Sequence, residues 1–252
     1  MSLNRLVGRI AIVTASTDGI GFAIAERLAK EGAKVIISSR KAQNVEDATK
    51  KLTKDGLNVH GLVCHVAKAE DRKRLFAEAE KHGGLDILVS NAAVNPEVGG
   101  VLDCSETSWD KIFDVNVKSS YLLAKEALPL LRESKAGRII FISSIGGLQP
   151  FNLLGAYSVS KTALLGLVKA AAIQLAPENI TVNSICPGII ETKFASAITT
   201  GPAKDFSLSQ IPLGRFGRPH DVSGSVAFLA SDDGSFVTGE NLVVAGGMSS
   251  RL

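Results

Sequence analysis

The sequence predicts an α/β protein: one parallel sheet, doubly wound, with helices on both faces. Three observations predict it. Seven short β-branched runs alternate with amphipathic segments. The first run leads straight into a glycine-bearing turn and a helix. Hydrophobic residues make up 45% of the chain and charged residues 21%, which fits a soluble globular protein, and the strand–helix alternation implies a sheet covered on both faces.

The strand segments are RIAIVT (9–14), AKVIISS (33–39), LNVHGLVCHV (57–66), LDILVS (85–90), GRIIFISS (137–144), ITVNSIC (180–186) and NLVVAG (241–246). Between the first two, GFAIAERLAKEG places Ile24 and Leu28 on one face and Glu26, Arg27 and Lys30 on the other. AEDRKRLFAEAEKHGG ends on glycines, as helices do. No composition shift or repeat divides the 252 residues, so residues 1–252 are expected to form a single domain.

Composition excludes several function classes. A net charge of +3 with no basic run gives no footprint for nucleic acid. The three cysteines (Cys64, Cys104, Cys186) fall outside any C-x-x-C spacing, which argues for a reducing compartment. The four histidines show no metal-ligand spacing, and no metal is expected. Apolar stretches are broken by Lys, Gln or Gly short of a membrane span. IAIVTAS follows Arg9 but runs into STDGIG, so it reads as a buried strand and not as a signal core.

In sheets of this kind ligands bind beyond the carboxyl ends of the strands. After the first strand come Ala15, Ser16, Thr17, Asp18, Gly19, Ile20 and Gly21. Glycines here let the backbone approach a pyrophosphate, and the helix N-terminus supplies free N–H groups. Ala15 stands where such loops usually carry their first glycine; alanine is tolerable there if φ is negative. The second strand ends in Ser39, Arg40 and Lys41 with no carboxylate. A carboxylate would hold a ribose 2′-OH, whereas a guanidinium fork suits a 2′-phosphate. The expected cofactor is NADP(H).

Three later places carry chemistry. Ser144 closes a strand, Tyr157 and Lys161 stand four apart at a helix start, and Asn116 lies in the helical stretch WDKIFDVNVKSSYLLAKEAL. The four-residue spacing puts phenol and ammonium on one helix face. Carbonyl reduction needs a hydride and a proton, and a free tyrosine with pKa near ~10 holds its proton too tightly for ready exchange. The expectation is that the ammonium and an oxidised nicotinamide together lower that pKa, so that Tyr157 serves as general acid for reduction and general base for oxidation. Ser144 would hold the substrate oxygen, Lys161 the nicotinamide ribose, and Asn116 a relay water.

With these residues in place, the chain resembles the short-chain dehydrogenase/reductase superfamily over essentially its whole length. TASTDGIG is similar to its T-G-x-x-x-G-x-G loop, and Asn116, Ser144, Tyr157 and Lys161 match its tetrad. SNAA (90–93) is similar to its N-N-A-G motif, and PGIIET (187–192) to its P-G motif. The resemblance implies a Rossmann-type fold and cofactor contacts from Asn91, Ala92, Ala93, Pro187, Gly188, Ile190 and Thr192. SSRKAQNV and VCHVAKAEDR resemble a peroxisomal group of NADP-dependent carbonyl and retinal reductases within it. That adds Asn44, His65 and Val66 to the implied cofactor set. It also implies a homotetramer and bulky ketone or dicarbonyl substrates. Three positions depart from the superfamily pattern: Ala15, His65 in place of an adenine-binding Asp, and Ala93 in place of a glycine.

The resemblance makes residues 193–217 a substrate lid, carrying Phe194, Ile198, Phe206 and Ile211. Leu148, Gln149, Pro150 and Phe151 are expected on the opposite wall. The implied partner is a small hydrophobic carbonyl compound. The last three residues, Ser250-Arg251-Leu252, keep the small–cation–leucine pattern of a peroxisomal address, which a peroxisomal import receptor would read. The alternatives are a 3-oxoacyl or hydroxysteroid dehydrogenase of the same fold, and a non-catalytic NADP(H)-binding scaffold or sensor.

Overall fold

The computed structural model describes residues 4–250. All seven expected strands form: β1 (Ile10–Val13), β2 (Lys34–Ser39), β3 (Val59–Val63), β4 (Ile87–Ser90), β5 (Arg138–Ile142), β6 (Thr181–Pro187) and β7 (Asn241–Val244). They make one parallel sheet in the order β3-β2-β1-β4-β5-β6-β7. The chain winds outward from β1 to β3, then crosses back to β4. Val13 pairs with Ile37 on one side and Val89 on the other. The strand order therefore reverses between β1 and β4, where a ligand crevice is expected.

The nine helices described are α1 (Gly19–Lys30), α2 (Ala42–Lys54), α3 (Ala69–Lys81), α4 (Glu106–Phe113), α5 (Ser119–Glu133), α6 (Gly155–Leu175), α7 (Ser196–Thr199), α8 (Ala203–Ser209) and α9 (Pro219–Ala230). The strand period of two sorts side chains into two cores. Val13, Ile37, Val89 and Ile140 join Ile24, Leu28, Leu52 and Val226 on one face. Ile12, Ile36, Leu88 and Phe141 join Leu75, Leu123, Val168 and Leu175 on the other. Burial on both faces is why these strands read as continuous apolar runs.

Two expectations about helices need correcting. The stretch around Asn116 is not one regular helix. A π-helical turn, Asp114–Lys118, separates α4 from α5, and the Ser119 N–H reaches back five residues to the Asp114 carbonyl. Such turns concentrate at functional sites. Also, Gly155–Glu178 is long and apolar enough to cross a membrane by length and composition. In this fold it carries four buried polar side chains, Tyr157, Ser158, Ser160 and Lys161.

Buried Arg72 in α3 ties one face of the sheet together. Its guanidinium donates to both Glu126 oxygens, at 3.0 Å from Nε and 2.9 Å from Nη2, and from Nη1 to the Val66 carbonyl at 2.8 Å. Arg72→Ala would leave a buried carbonyl and a half-buried carboxylate unpartnered, at a cost of about 2–3 kcal/mol. Thermal unfolding should show a melting temperature lower by ~5–10 °C.

Candidate active site

The site assembles where β1, β4, β5 and β6 end. At the end of β1, Asn91 donates from Nδ2 to the carbonyls of Thr14 (2.9 Å) and Ala15 (3.0 Å). The Thr14 hydroxyl accepts from the backbone N–H groups of Asn91 (3.0 Å) and Ala92 (3.2 Å). Ala15 is thereby held at φ 49°, in the left-handed region, so the condition of a negative φ is not met and the alanine is strained. The two Asn91 bonds fix its carbonyl in place. They also explain Gly21: a Cβ there would lie 2.4 Å from the Ala15 oxygen and 2.5 Å from Asn91 Nδ2. Thr14 is a loop-holding residue that sequence reasoning missed.

Ser16 is fully buried, with its hydroxyl donating to the Val13 carbonyl and accepting from Ser38 N. Its side chain joins β1 to β2. Thr17 and Ile20 are half-buried beside the start of α1, which Asp18 caps by accepting from Gly19 N at 2.8 Å.

At the end of β2, Ser39 is half-buried, and Arg40, Lys41 and Asn44 are exposed. Burial holds the His65 imidazole below its ordinary pKa, and the charges of Arg40, Lys111 and Lys68 add to the shift. His65 Nδ1 accepts from Ala67 N at 3.3 Å, so the ring turns onto its own backbone. The Val66 carbonyl is taken by Arg72. No carboxylate lies at the end of β2, and the Asp71 carboxylate beside it accepts from His65 N at 2.8 Å.

Tyr157 and Lys161 project from one face of α6, both buried. Lys161 Nζ donates to the Ile142 carbonyl at 2.8 Å and lies 5.5 Å from the Tyr157 ring centre. Ser143 fixes the helix by donating to the Lys161 carbonyl at 3.0 Å. Ser144 accepts from Gly146 N at 3.0 Å, and its hydroxyl acts on the Tyr157 phenol by lowering its pKa. Ser144, Tyr157 and Lys161 therefore come together.

The electrostatics show what the protein's own groups do to the pair. Burial pushes the phenol up to about 12, with Ser144 working against it. Burial also brings the Lys161 ammonium down to about 8. The ammonium is aimed at the Ile142 carbonyl rather than the phenol oxygen, so desolvation outweighs charge attraction. At neutral pH the phenol holds its proton.

Asn116 ties two segments together. It is fully buried, accepts from Val94 N at 2.8 Å, and donates to the Val94 carbonyl (3.1 Å) and Ser160 Oγ (3.0 Å). Ser160 in turn donates to the Tyr157 carbonyl at 2.6 Å. Both amide N–H bonds are thus spent on positioning the Asn91–Val94 segment against α6. Ala93 is half-buried in that segment.

After β6, Gly188 donates to the Val244 carbonyl at 2.9 Å, and Ile190 is buried in a bridge to Gly217. Pro187 closes the strand. Thr192 caps the next turn and faces Gly19, whose Cβ would meet Thr192 Cγ2 at 3.3 Å. An exposed ion pair, Lys193–Asp18 at 2.7 Å, spans the same gap. A cavity of about 700 Å³ opens beside it, lined by Gly19, Phe22, Lys51, Thr192 and His220 and not by Tyr157.

Phe194 reaches the Tyr157 ring, with centres 5.8 Å apart. Leu148, Phe151 and Ile198 pack onto an apolar cluster of Ile145, Cys186, Ile189, Ile211, Phe216 and Met248. Ile211 is thus a buried anchor under the lid segment, while Phe206 faces solvent. Cys186 is fully buried, and burial raises its thiol pKa.

A family model described as enoyl-(acyl carrier protein) reductase matches residues 14–249. The Bos taurus protein named dehydrogenase/reductase SDR family member 4 is 52% identical over 251 residues, covering 99% of this chain and 90% of that protein. The Homo sapiens protein of that name is 51% identical, over 98% of this chain and 90% of its own. Homo sapiens dehydrogenase/reductase SDR family member 2, mitochondrial, is 52% identical over 98% of this chain and 88% of its own. Among solved structures, a dehydrogenase/reductase from Sinorhizobium meliloti superposes with TM-score 0.90 at 34% identity, over 98% of this chain and 97% of the other.

Two predictions come from this geometry. Ala15→Gly removes a left-handed strain of ~1–2 kcal/mol and adds an unfolded-state entropy cost of ~0.5–1 kcal/mol. Denaturant unfolding should show a net gain of about 0.5–1 kcal/mol. For Lys161, between about pH 8 and 10 the unfolded chain keeps the ammonium proton and the folded chain has lost it. Wild-type stability relative to Lys161→Met should therefore rise through that window by up to about 1.4 kcal/mol per pH unit. Guanidinium unfolding of both proteins across the window reads the slope.

Proposed function

The chain belongs to the short-chain dehydrogenase/reductase family of oxidoreductases, and from that premise we propose that it reduces bulky hydrophobic ketones or dicarbonyls, retinal among the candidates, with NADPH. The observation that carries this reading is the buried Tyr157 phenol, its pKa raised by burial, with Ser144 working against that shift and Lys161 one turn away. The bound cofactor would supply hydride to the carbonyl carbon. Tyr157 would give its proton to the carbonyl oxygen, and Ser144 would donate a hydrogen bond to that oxygen as charge develops. Lys161, held by the Ile142 carbonyl, would stabilise the phenolate left behind. Asn116 would act as a positioning residue through Val94 and Ser160.

The choice of NADP(H) rests on Arg40 and Lys41 at the end of β2 and on the Arg40, Lys68 and Lys111 charges around His65. Gly19 and Gly21 at the start of α1, with Asn91 holding the turn, would cradle the pyrophosphate. Phe194 over Tyr157, with Leu148 and Phe151 on the apolar cluster, supports an apolar substrate. A homotetramer is proposed on family resemblance. A peroxisomal location is proposed on the relatives' likeness and on Ser250-Arg251-Leu252, of which Arg251 and Leu252 lie outside the described residues. One relative of equal identity carries a mitochondrial name, so the address needs its own test.

The testing experiment compares NADPH and NADH consumption against aromatic ketones, vicinal diketones, retinal, steroids and acyl thioesters. Turnover of the bulky carbonyls with NADPH is expected. Turnover confined to thioesters or steroids would assign the protein to the alternative dehydrogenases, and binding of NADPH without any turnover would make it a scaffold. Arg40→Ala should raise the KM for NADPH ~10–100-fold, the worth of one charge-assisted phosphate contact, and leave the KM for NADH nearly unchanged.

A further inference from the structure

The sheet's edge brings together three side chains that the proposed reaction does not use. His60 lies on β3, the edge strand, opposite Ile36. Glu78 and His82 are four residues apart at the end of α3 and share a helix face. The Glu78 Oε1 atom is 3.3 Å from His60 Nε2 and 3.4 Å from His82 Nε2. Ligand atoms of all three residues lie within 4.8 Å of one another. The site sits among residues unrelated to Tyr157.

We propose that His60, Glu78 and His82 form a site for a divalent transition cation of the zinc class, which staples β3 to α3. The spacing argues for it. Tetrahedral zinc with bonds of about 2.0–2.1 Å holds its ligand atoms about 3.3–3.4 Å apart, the separation found here for both imidazole–carboxylate edges. The remaining His60–His82 edge closes by a small imidazole rotation, since the two ring centres stand 5.0 Å apart at 60° and His60 is 43% exposed. Two imidazoles and one carboxylate are the donor set of three-ligand zinc sites, with water in the fourth place.

A second observation points the same way. His82 Nε2 is buried and makes no hydrogen bond, despite facing the carboxylate at 3.4 Å. A buried polar atom without a partner is costly, and a cation would satisfy it. Glu78 is oriented as a ligand's outer partners would require: its second oxygen accepts from Lys81 at 3.0 Å, leaving Oε1 for the site. Sequence spacing hides this cluster, because His60 joins the pair only through the packing of α3 on the sheet edge. The expectation of no metal is therefore revised by a proposal.

The test uses the full chain without an affinity tag, stripped by a chelator and titrated with Zn²⁺ by calorimetry and with Co²⁺ by visible absorption. One Zn²⁺ per chain is expected, with an intense tetrahedral Co²⁺ band. At 100 times the dissociation constant the melting temperature should rise by about 5–10 °C. His60→Gln, at a half-exposed position, and Glu78→Gln should each weaken binding at least tenfold and abolish the band. His220→Ala, at the separate His220–Glu26 pair, should leave both unchanged. No stoichiometric binding, or equal binding in His60→Gln, would overturn the proposal.

Discussion

The geometry of this site depends on a buried ammonium group. Lys161 is 2% exposed, and its Nζ has one recorded partner, the Ile142 carbonyl at 2.8 Å. Burying that charge is unfavourable, as its lowered pKa records. The fold meets the cost by fixing both ends of the contact. Ser143, next to Ile142, binds the Lys161 backbone, and Ser143 N is tied to the Ile185 carbonyl of β6. Gly147 lies so close to Lys161 that a Cβ would sit 2.7 Å from its carbonyl carbon. Strand end, serine turn and helix start are therefore one rigid unit, and Tyr157 inherits its position from it.

A second unit holds the crossing point of the sheet. Thr14 and Asn91 exchange bonds across β1 and β4, Ala15 takes the strained turn, and Gly21 leaves room for it. Asn116 joins the two units, since it grips Val94 just beyond Asn91 and reaches Tyr157 through Ser160. The π-helical turn is what brings Asn116 inward. Sites held within a fraction of an ångström by packed neighbours are the ones that orient reactants well.

The strands were legible because burial on both faces writes itself as unbroken β-branched runs, as in KVIISS and RIIFI. The Tyr157–Lys161 pair was legible because helical spacing alone puts the two on one face. What escaped the sequence depends on geometry between segments. Ala15 reads as an ordinary alanine until Asn91 is seen to hold its carbonyl. Asn116 reads as mid-helix because an extra residue in a helical turn leaves the apolar pattern almost intact. Ser16 reads as a loop residue, yet its hydroxyl is consumed inside the sheet. What the protein's own groups do to the Tyr157 phenol also escaped, since it turns on where the ammonium points and not on how near it is.

The most direct test of the account is turnover by Tyr157→Phe measured beside NADPH binding by fluorescence. The substitution deletes one hydroxyl and leaves the ring that Phe194 meets. If Tyr157 is the proton donor, turnover of a bulky carbonyl falls by about 10²–10⁴-fold while NADPH binds nearly as before. Turnover within a few fold of wild type would contradict the account and move the proton transfer to another group.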